Sequence, residues 1–568
     1  MPVPSIVRSR SADSGSRLVR SLLPGPGLTA LLAVAITAAT LLPLAAPQLT
    51  RRFVDGALAG AGTGSLTLIA LGYLALAVAG QAARLATAGL ASRAAWDGAN
   101  RLRHGLAEHV LGLDPAFHAR HTPGELIERA DGDVTAIADF VVAFLLDVVA
   151  GLLLLCGVIV VVSAVDPRVG AVLLVYCALV GAGMVVAQRL AVPSAARSRA
   201  AHAALSGFVE ERLAGAEDLR ANGAGEHTLR RFHQVSAAEW RTGRHASAVG
   251  SSVLAGTGVA FAAGTALMTA LSGTLSVGTA VLLFQYTLMV RTPFERLIDQ
   301  LRHYQAALAG VARVRGLLAE RRTLTVPAAA RELPAAGPLG LELADVDFGY
   351  DDRPVLHGIT FSLAPGETLG LVGRTGSGKT TIARLIARLY DPASGTVRVG
   401  GQDLRQVASA SLRGRVAVVG QDVRLFDASL RDNLTLFRAA PGDDRLREVL
   451  VEVGLDRRDL DAPLGPVSAG EAQLLAFARA LLADPGLVVL DEISSRLDPA
   501  TERRVRRSTA RLLAGRTGVI VAHRLATLER VDRIAVVADG RIVEYGRRRD
   551  LLADPGSRFA RMSAAVRR

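Results

Sequence analysis

The sequence predicts an α-helical bundle of six membrane spans followed by a soluble α/β domain of the phosphate-loop type. Three observations carry that reading. Long charge-free runs are confined to the first 290 residues, short β-branched runs alternate with helical ones beyond residue 338, and one glycine-rich loop ends in the only lysine present, Lys379. Half of the 568 residues are apolar and 21% are charged. With a mean hydropathy of +0.33, the chain is too apolar to be disordered and unusual for a soluble protein. Cys156 and Cys177 both fall in apolar runs, which excludes a disulfide-stapled secreted domain.

Leu28–Thr50, Gly56–Ala83, Val148–Val165 and Val169–Gln188 carry no charge, and each suffices for one span at about 20 residues per crossing. His245–Val290 is twice that length and divides into two spans at a turn near Ser272–Thr279. Buried core helices would show shorter runs and polar faces. The first span is expected to be retained rather than cleaved, although it ends in small residues, because a long basic segment precedes it and five spans follow. Arginines crowd the segment before span one (Arg8, Arg10, Arg17, Arg20) and the connections after spans two and four, from Arg93 to Arg129 and from Arg197 to Arg244. The odd connections hold only Arg51, Arg52 and Arg168. By the positive-inside rule both termini are cytoplasmic, in a multi-pass protein of the plasma or inner membrane. The same rule accounts for most of the net charge of +13, so nucleic acid is not expected as a partner.

The two long cytoplasmic connections read as solvated helical hairpins or as rods carrying motion to the spans. Asp147 opens the third run, at the interface or as an intramembrane carboxylate. Phe284, Gln285, Tyr286 and Met289 in the sixth run line a cavity, or else face lipid or pack between helices. Each pair of readings stays open at this level.

The chain divides into 1–320, a transmembrane domain; 321–338, a Pro/Ala-rich linker; and 339–568, a soluble α/β domain. In the last part, the strand-like Leu369–Val372 leads into Gly373, Arg374, Thr375, Gly376, Ser377, Gly378, Lys379 and Thr380, then Thr381 and a helical run to Tyr390. The pattern is GxxxxGK[ST] in the strand–loop–helix setting it needs. Glycines let backbone N–H groups approach phosphate oxygens, and the helix N-terminus adds partial positive charge. Lys379 supplies a full charge to the β/γ-phosphates, and Thr380 can hold Mg²⁺. With one lysine in the chain, chance yields about 0.001 such matches.

Leu487–Leu490 is a buried strand ending in Asp491 and Glu492. At a strand's C-terminal edge beside a phosphate loop, Asp491 can bind Mg²⁺ and Glu492 can polarise the attacking water. His523 ends a second such strand, Gly518–Ala522. Ser468 and Glu471 bracket the start of an apolar helix, as a capping box, as a helix N-terminus facing a phosphate, or as both.

Taken in order, these motifs resemble an ATP-binding cassette (ABC) transporter of the type I exporter fold, a half-transporter with a membrane domain fused to an α/β P-loop ATPase domain. The resemblance rests on the phosphate loop, Gln421 in VVGQDVRLF, the Ser468–Glu471 element, VVLDE, SRLD ending at Asp498, and VAHRL. Phe117–Val134 is similar to the family's first intracellular loop. The resemblance implies that Tyr350 stacks on adenine and that Gln421 contacts Mg²⁺ and the lytic water. It makes Asp491 a magnesium ligand, Glu492 the general base and His523 the γ-phosphate contact. Ser468 and Gly470 would touch ATP bound to the opposite subunit. Two chains are then needed around two ATP molecules.

Two departures stand out. The family's Leu-Ser-Gly-Gly-Gln signature is Val467-Ser-Ala-Gly-Glu471 here, and the stretch from Gln421 to Ser468 is short. With the chain's own phosphate loop, Glu492 and His523 intact, the pattern favours a heterodimer over a homodimer. The leading expectation is ATP-driven export of an amphipathic small molecule, lipid or peptide. A siderophore-like importer with this fold, and an ATP-gated channel or regulator, are the alternatives.

Overall fold

The computed structural model describes residues 25–271, 276–325, 327, 329–351, 353–439, 441–455, 459–491, 499–522 and 525–566. Contacts divide the chain into two units: residues up to Gly112 with Thr122–Glu320, and Leu113–His121 with Arg321–Arg568.

The first unit is helical. Its long elements are α1 (Pro26–Leu58), α2 (Thr63–Leu111), α3 (Pro123–Val165), α4 (Pro167–Ala214), α5 (Gly225–Leu271) and α6 (Val277–Ala319). Among the described residues, α1 to α5 are long and apolar enough to cross a membrane, which makes five spans by composition where six are expected. The sixth helix forms, but its apolar stretch Val277–Val290 ends at Arg291. At 1.5 Å per residue that stretch covers roughly 21 Å, short of a hydrocarbon core of about 30 Å. A crossing by α6 therefore carries Arg291 and Arg296 towards the membrane interior. Most of the turn expected before it, Ser272–Leu275, lies outside the described residues.

Local chemistry sets the helix ends. Ser276 caps α6, its Oγ accepting from Thr279 N at 3.2 Å. Asp55 near the end of α1 accepts from Ser276 Oγ at 3.0 Å and from Gly278 N at 2.9 Å, tying the two helices together. Leu44, Val158, Leu173, Phe261 and Leu282 form the packed interior. Tyr286 belongs there too. It is fully buried and donates to Leu44 O at 2.6 Å, so of the two openings left by the sequence it packs rather than lines a cavity. Leu68, Leu85, Leu179 and Val259 stand mostly exposed, an apolar surface suited to lipid and costly in water.

The second unit holds two sheets. Its elements are β1 (Leu341–Tyr350), β2 (Arg353–Leu363), β3 (Thr368–Val372), α7 (Lys379–Ile386), β4 (Ser394–Val399), β5 (Gln402–Asp403), β6 (Val416–Val419), α8 (Ala469–Leu482), β7 (Leu487–Asp491), α9 (Pro499–Leu513), β8 (Thr517–Val521), β9 (Arg533–Ala538) and β10 (Arg541–Arg547). β2-β1-β4-β5 is antiparallel, whereas the six-stranded sheet runs β10-β9-β3-β8-β7-β6. Only β10 runs antiparallel in the latter. Both faces of that sheet are covered, so β7 and β8 are continuous apolar runs, with Leu487–Leu490 fully buried. Segment 321–338 is anchored to this unit. Arg331 N donates to Gln406 O, its own carbonyl accepts from Ala408 N, both at 2.8 Å, and Leu333 is buried.

Candidate nucleotide site

β3 delivers the chain into the phosphate loop at the middle of the parallel sheet, between β9 and β8. Two glycines are sterically required. At Gly373 (φ +153°) a Cβ would lie 2.1 Å from Val537 O, and at Gly378 (φ +105°) it would lie 2.5 Å from Leu356 Cδ2. Gly376 (φ +82°) has nothing within 4 Å of the Cβ position, so the outer face of the loop is open. α7 starts at Gly378 without a side-chain cap. The cap residue therefore takes up none of the first-turn amides, leaving the helix start suited to an anion.

Lys379 is 4% exposed. Its Nζ donates to Gly373 O at 2.8 Å and Arg374 O at 2.9 Å, which places the ammonium inside the curl of the loop. Ser377 Oγ is buried with no hydrogen-bond partner, an orphaned polar atom facing the same turn. Arg374 and Thr375 are exposed on its rim, and Thr381 is buried. Thr380 Oγ1 lies 3.4 Å from Asp491 Oδ1. The order β3-β8-β7 thus brings two residues 111 positions apart to one edge, as two hard oxygen donors of the kind Mg²⁺ takes.

Tyr350 closes β1 in an aromatic cluster. Its ring stands edge-on to Phe348 at 5.0 Å and to Tyr390 at 5.3 Å, with the Arg384 guanidinium 5.9 Å from its centroid. Arg384 also donates to the Tyr350 hydroxyl at 3.0 Å. Burial pulls the pKa of Arg384 down, but the Tyr350 contact together with the nearby Tyr390 and Asp491 raises it, and the net shift is upward. Arg384 is a neighbour of the candidate site that the sequence reading missed. The available signal was helical spacing, since it lies one turn beyond Thr380 and Thr381.

Gln421 follows β6 and is exposed. Its neighbour Gly420 O accepts from the buried Gln473 Nε2 on α8 at 3.4 Å. Glu492 and His523 lie outside the described residues. Ser468 and Gly470 stand at the start of α8, where a complete capping box forms. Ser468 N donates to Glu471 Oε2 at 3.0 Å, Ser468 Oγ donates to the same oxygen at 3.2 Å, and Glu471 N donates to Ser468 Oγ at 3.2 Å.

Comparison with known proteins decides the family. The model of the ABC transporter domain matches residues 356–495, and that of the ABC transporter transmembrane region matches 29–294. An uncharacterized ABC transporter ATP-binding protein of Bacillus subtilis, YknV, is 30% identical over 80% of this chain and 78% of its own length. The chain belongs to the ABC transporter family. A multidrug efflux ATP-binding/permease protein of Mycobacterium bovis is 39% identical over 52% of this chain but only 25% of its own length. The structure of a bacterial Atm1-family ABC exporter with ATP bound matches with a TM-score of 0.80 at 23% identity, covering 95% of this chain and 99% of the other. That likeness establishes the exporter fold. This ABC transporter is therefore a multi-pass membrane protein that binds and hydrolyses ATP to drive transport. With one membrane region and one ATP-binding region it is a half-transporter.

Proposed function

We propose that the chain exports an amphipathic substrate from the cytoplasm, as one subunit of a heterodimer in the plasma or inner membrane with both termini cytoplasmic. In this reading 1–320 is the transmembrane domain, 321–338 the linker and 339–568 the nucleotide-binding domain. The observation that carries it is the Thr380–Asp491 pair beside the buried Lys379, joined in one chain to a membrane unit of exporter fold. Gly373 to Thr381 cradle the triphosphate, and Tyr350 stacks on adenine. Thr380, Asp491 and Gln421 would hold Mg²⁺, which offsets phosphate charge when bound. Glu492 takes a proton from the attacking water, with Gln421 orienting that water and His523 contacting the γ-phosphate.

The heterodimer rests on the signature helix. Ser468 and Gly470 are the groups that would meet the partner's ATP, but the Ser468 N–H and Oγ already donate to the Glu471 carboxylate. A negative charge at that place repels a triphosphate. The chain keeps a complete site of its own and offers its partner a weakened one.

Inside-out vesicles carrying the purified complex test the reading. ATP-dependent accumulation of a labelled amphipath is expected, with loss on Glu492→Gln. Passive flux that survives this substitution would favour the channel, and ATP-driven loss from the vesicles would favour the importer.

A further inference from the structure

A cavity of about 420 Å³ opens in the first unit, where α1, α2, α3 and α6 face one another. Three of its walls depart from regular helix. Pro43 interrupts α1, Pro293 interrupts α6, and the π-helical turn Phe144–Val149 interrupts α3. Such irregularities recur at functional sites and, inside a membrane, where backbone borders a cavity. Thr40 on the wall sits midway along the charge-free run Leu28–Thr50. A Cβ at Gly80 of α2 would lie 3.7 Å from Pro43 Cγ, so the two residues stand at one level, and Arg84, one turn further along α2, lines the cavity near that level.

Among the polar side chains lining the cavity, all but Arg84 and the neutral Thr292 are committed. Asp147 accepts from Arg296 Nη1 and from Gln300 Nε2, each at 2.8 Å, so both its oxygens are used. Thr40 and Thr87 donate to Ile36 O and Ala83 O on their own helices, each at 2.7 Å. Arg84 makes no hydrogen bond or ion pair among the described residues. Two guanidiniums against one carboxylate leave the lining with one positive charge. A charge at this depth is expensive and calls for a counter-ion, and a guanidinium matches carboxylate or phosphate oxygens in a planar fork. The remaining walls, including Ile36, Leu146 and Leu154, are apolar.

We infer that this cavity binds an amphipathic monoanion, its carboxylate or phosphate head on Arg84 and its apolar body along α1 and α3. That this class is also the transported one rests on the export reading; the binding itself does not. Cholate and its methyl ester share a steroid body and differ in charge, so they make a matched pair of probes. Both are titrated against the full chain in phosphatidylcholine nanodiscs without nucleotide. Cholate is expected to bind more tightly than the ester. Arg84→Gln weakens cholate by roughly tenfold and leaves the ester unchanged, while Arg84→Lys restores most of the loss. Asp147→Asn frees Arg296 and tightens cholate. Equal binding of ester and cholate, or a cholate affinity that ignores Arg84→Gln, overturns the inference. Repeating the titration in phosphatidylglycerol identifies the source of the anion. Competition that disappears in Arg84→Gln means a lipid headgroup reaches the site, and absence of competition means a water-borne amphipath; both keep the anion chemistry. Because nucleotide is absent, a negative result leaves ATP-driven export standing, and a failure of export leaves the binding result intact.

Discussion

Two helices in the second unit begin with a polar N-terminus aimed outward, and they are built in opposite ways. α7 starts at a left-handed glycine with no side-chain cap, behind a loop whose lysine is folded inward. α8 starts at a serine in a closed capping box with a carboxylate three residues on. Both carry the same partial charge from the helix dipole. Only α8 has a cap residue whose side chain takes one of its first-turn amides. The difference teaches that a helix N-terminus becomes a phosphate site by what is withheld from it, and that a cap worth about 1 kcal/mol to the fold competes for the same donors a ligand needs.

The largest expected effect breaks the α7 side of this contrast. Lys379 reaches two loop carbonyls while almost wholly buried. An arginine carries the charge, but its planar fork cannot occupy the same curl. Lys379→Arg is expected to lower ATP hydrolysis at this chain's own site by at least about 10²-fold, the scale for losing one preorganised charge in a phosphoryl-transfer site. Single-turnover ATPase measurements on the complex, with the partner's base inactivated, check it. Near-normal hydrolysis would mean that the compact ammonium is dispensable. The prediction comes straight from composition, because in a chain with 65 basic residues this position alone holds lysine.

Other parts of the site were legible for similar reasons and some were not. The phosphate loop and Asp491 announce themselves because steric demands on glycine and the edge position after an apolar strand are local rules, readable without a partner in space. Arg384 was missed because its role depends on Tyr350, 34 positions away, across two secondary elements. In the membrane half, the charge-free runs revealed the long helices. The weakness of the sixth was hidden by reading His245–Val290 as one length to be halved, when α5 takes most of it. Arg84 gave no signal either: it stands at the end of a charge-free run and reads as a flank until Pro43 and Thr40 fix its depth.

A smaller effect sharpens the α8 side. Glu471→Gln removes the negative charge yet keeps a side chain able to complete the capping box. Hydrolysis at the partner's site is expected to rise about tenfold, the equivalent of one carboxylate's repulsion of a triphosphate at partial exposure. Hydrolysis at the chain's own site stays unchanged. Site-resolved nucleotide trapping separates the two. If neither site responds, the weakened signature is not set by this charge, and the asymmetry lies in Ala469 or in the short stretch before Ser468.

The smallest effect isolates the cap from the ligand. Ser468→Ala deletes the hydroxyl that accepts from Glu471 N and donates to the same side chain's carboxylate. Loss of an N-cap hydroxyl is expected to cost about 1 kcal/mol. The amides of Ala469, Gly470 and Glu471 should then exchange faster with solvent, while the buried body of α8, from Leu474 to Leu481, keeps its protection. ATP affinity at the phosphate loop should not change, because no donor of Ser468 belongs to it. Exchange measured by mass spectrometry on the apo chain reads the first effect, and nucleotide titration reads the second. If affinity at the chain's own site fell with the cap, the two N-termini would be coupled through Gln473 and Gly420, the hydrogen bond that joins α8 to the loop after β6. The contrast between a committed and an uncommitted helix start would then describe one connected site rather than two independent ones.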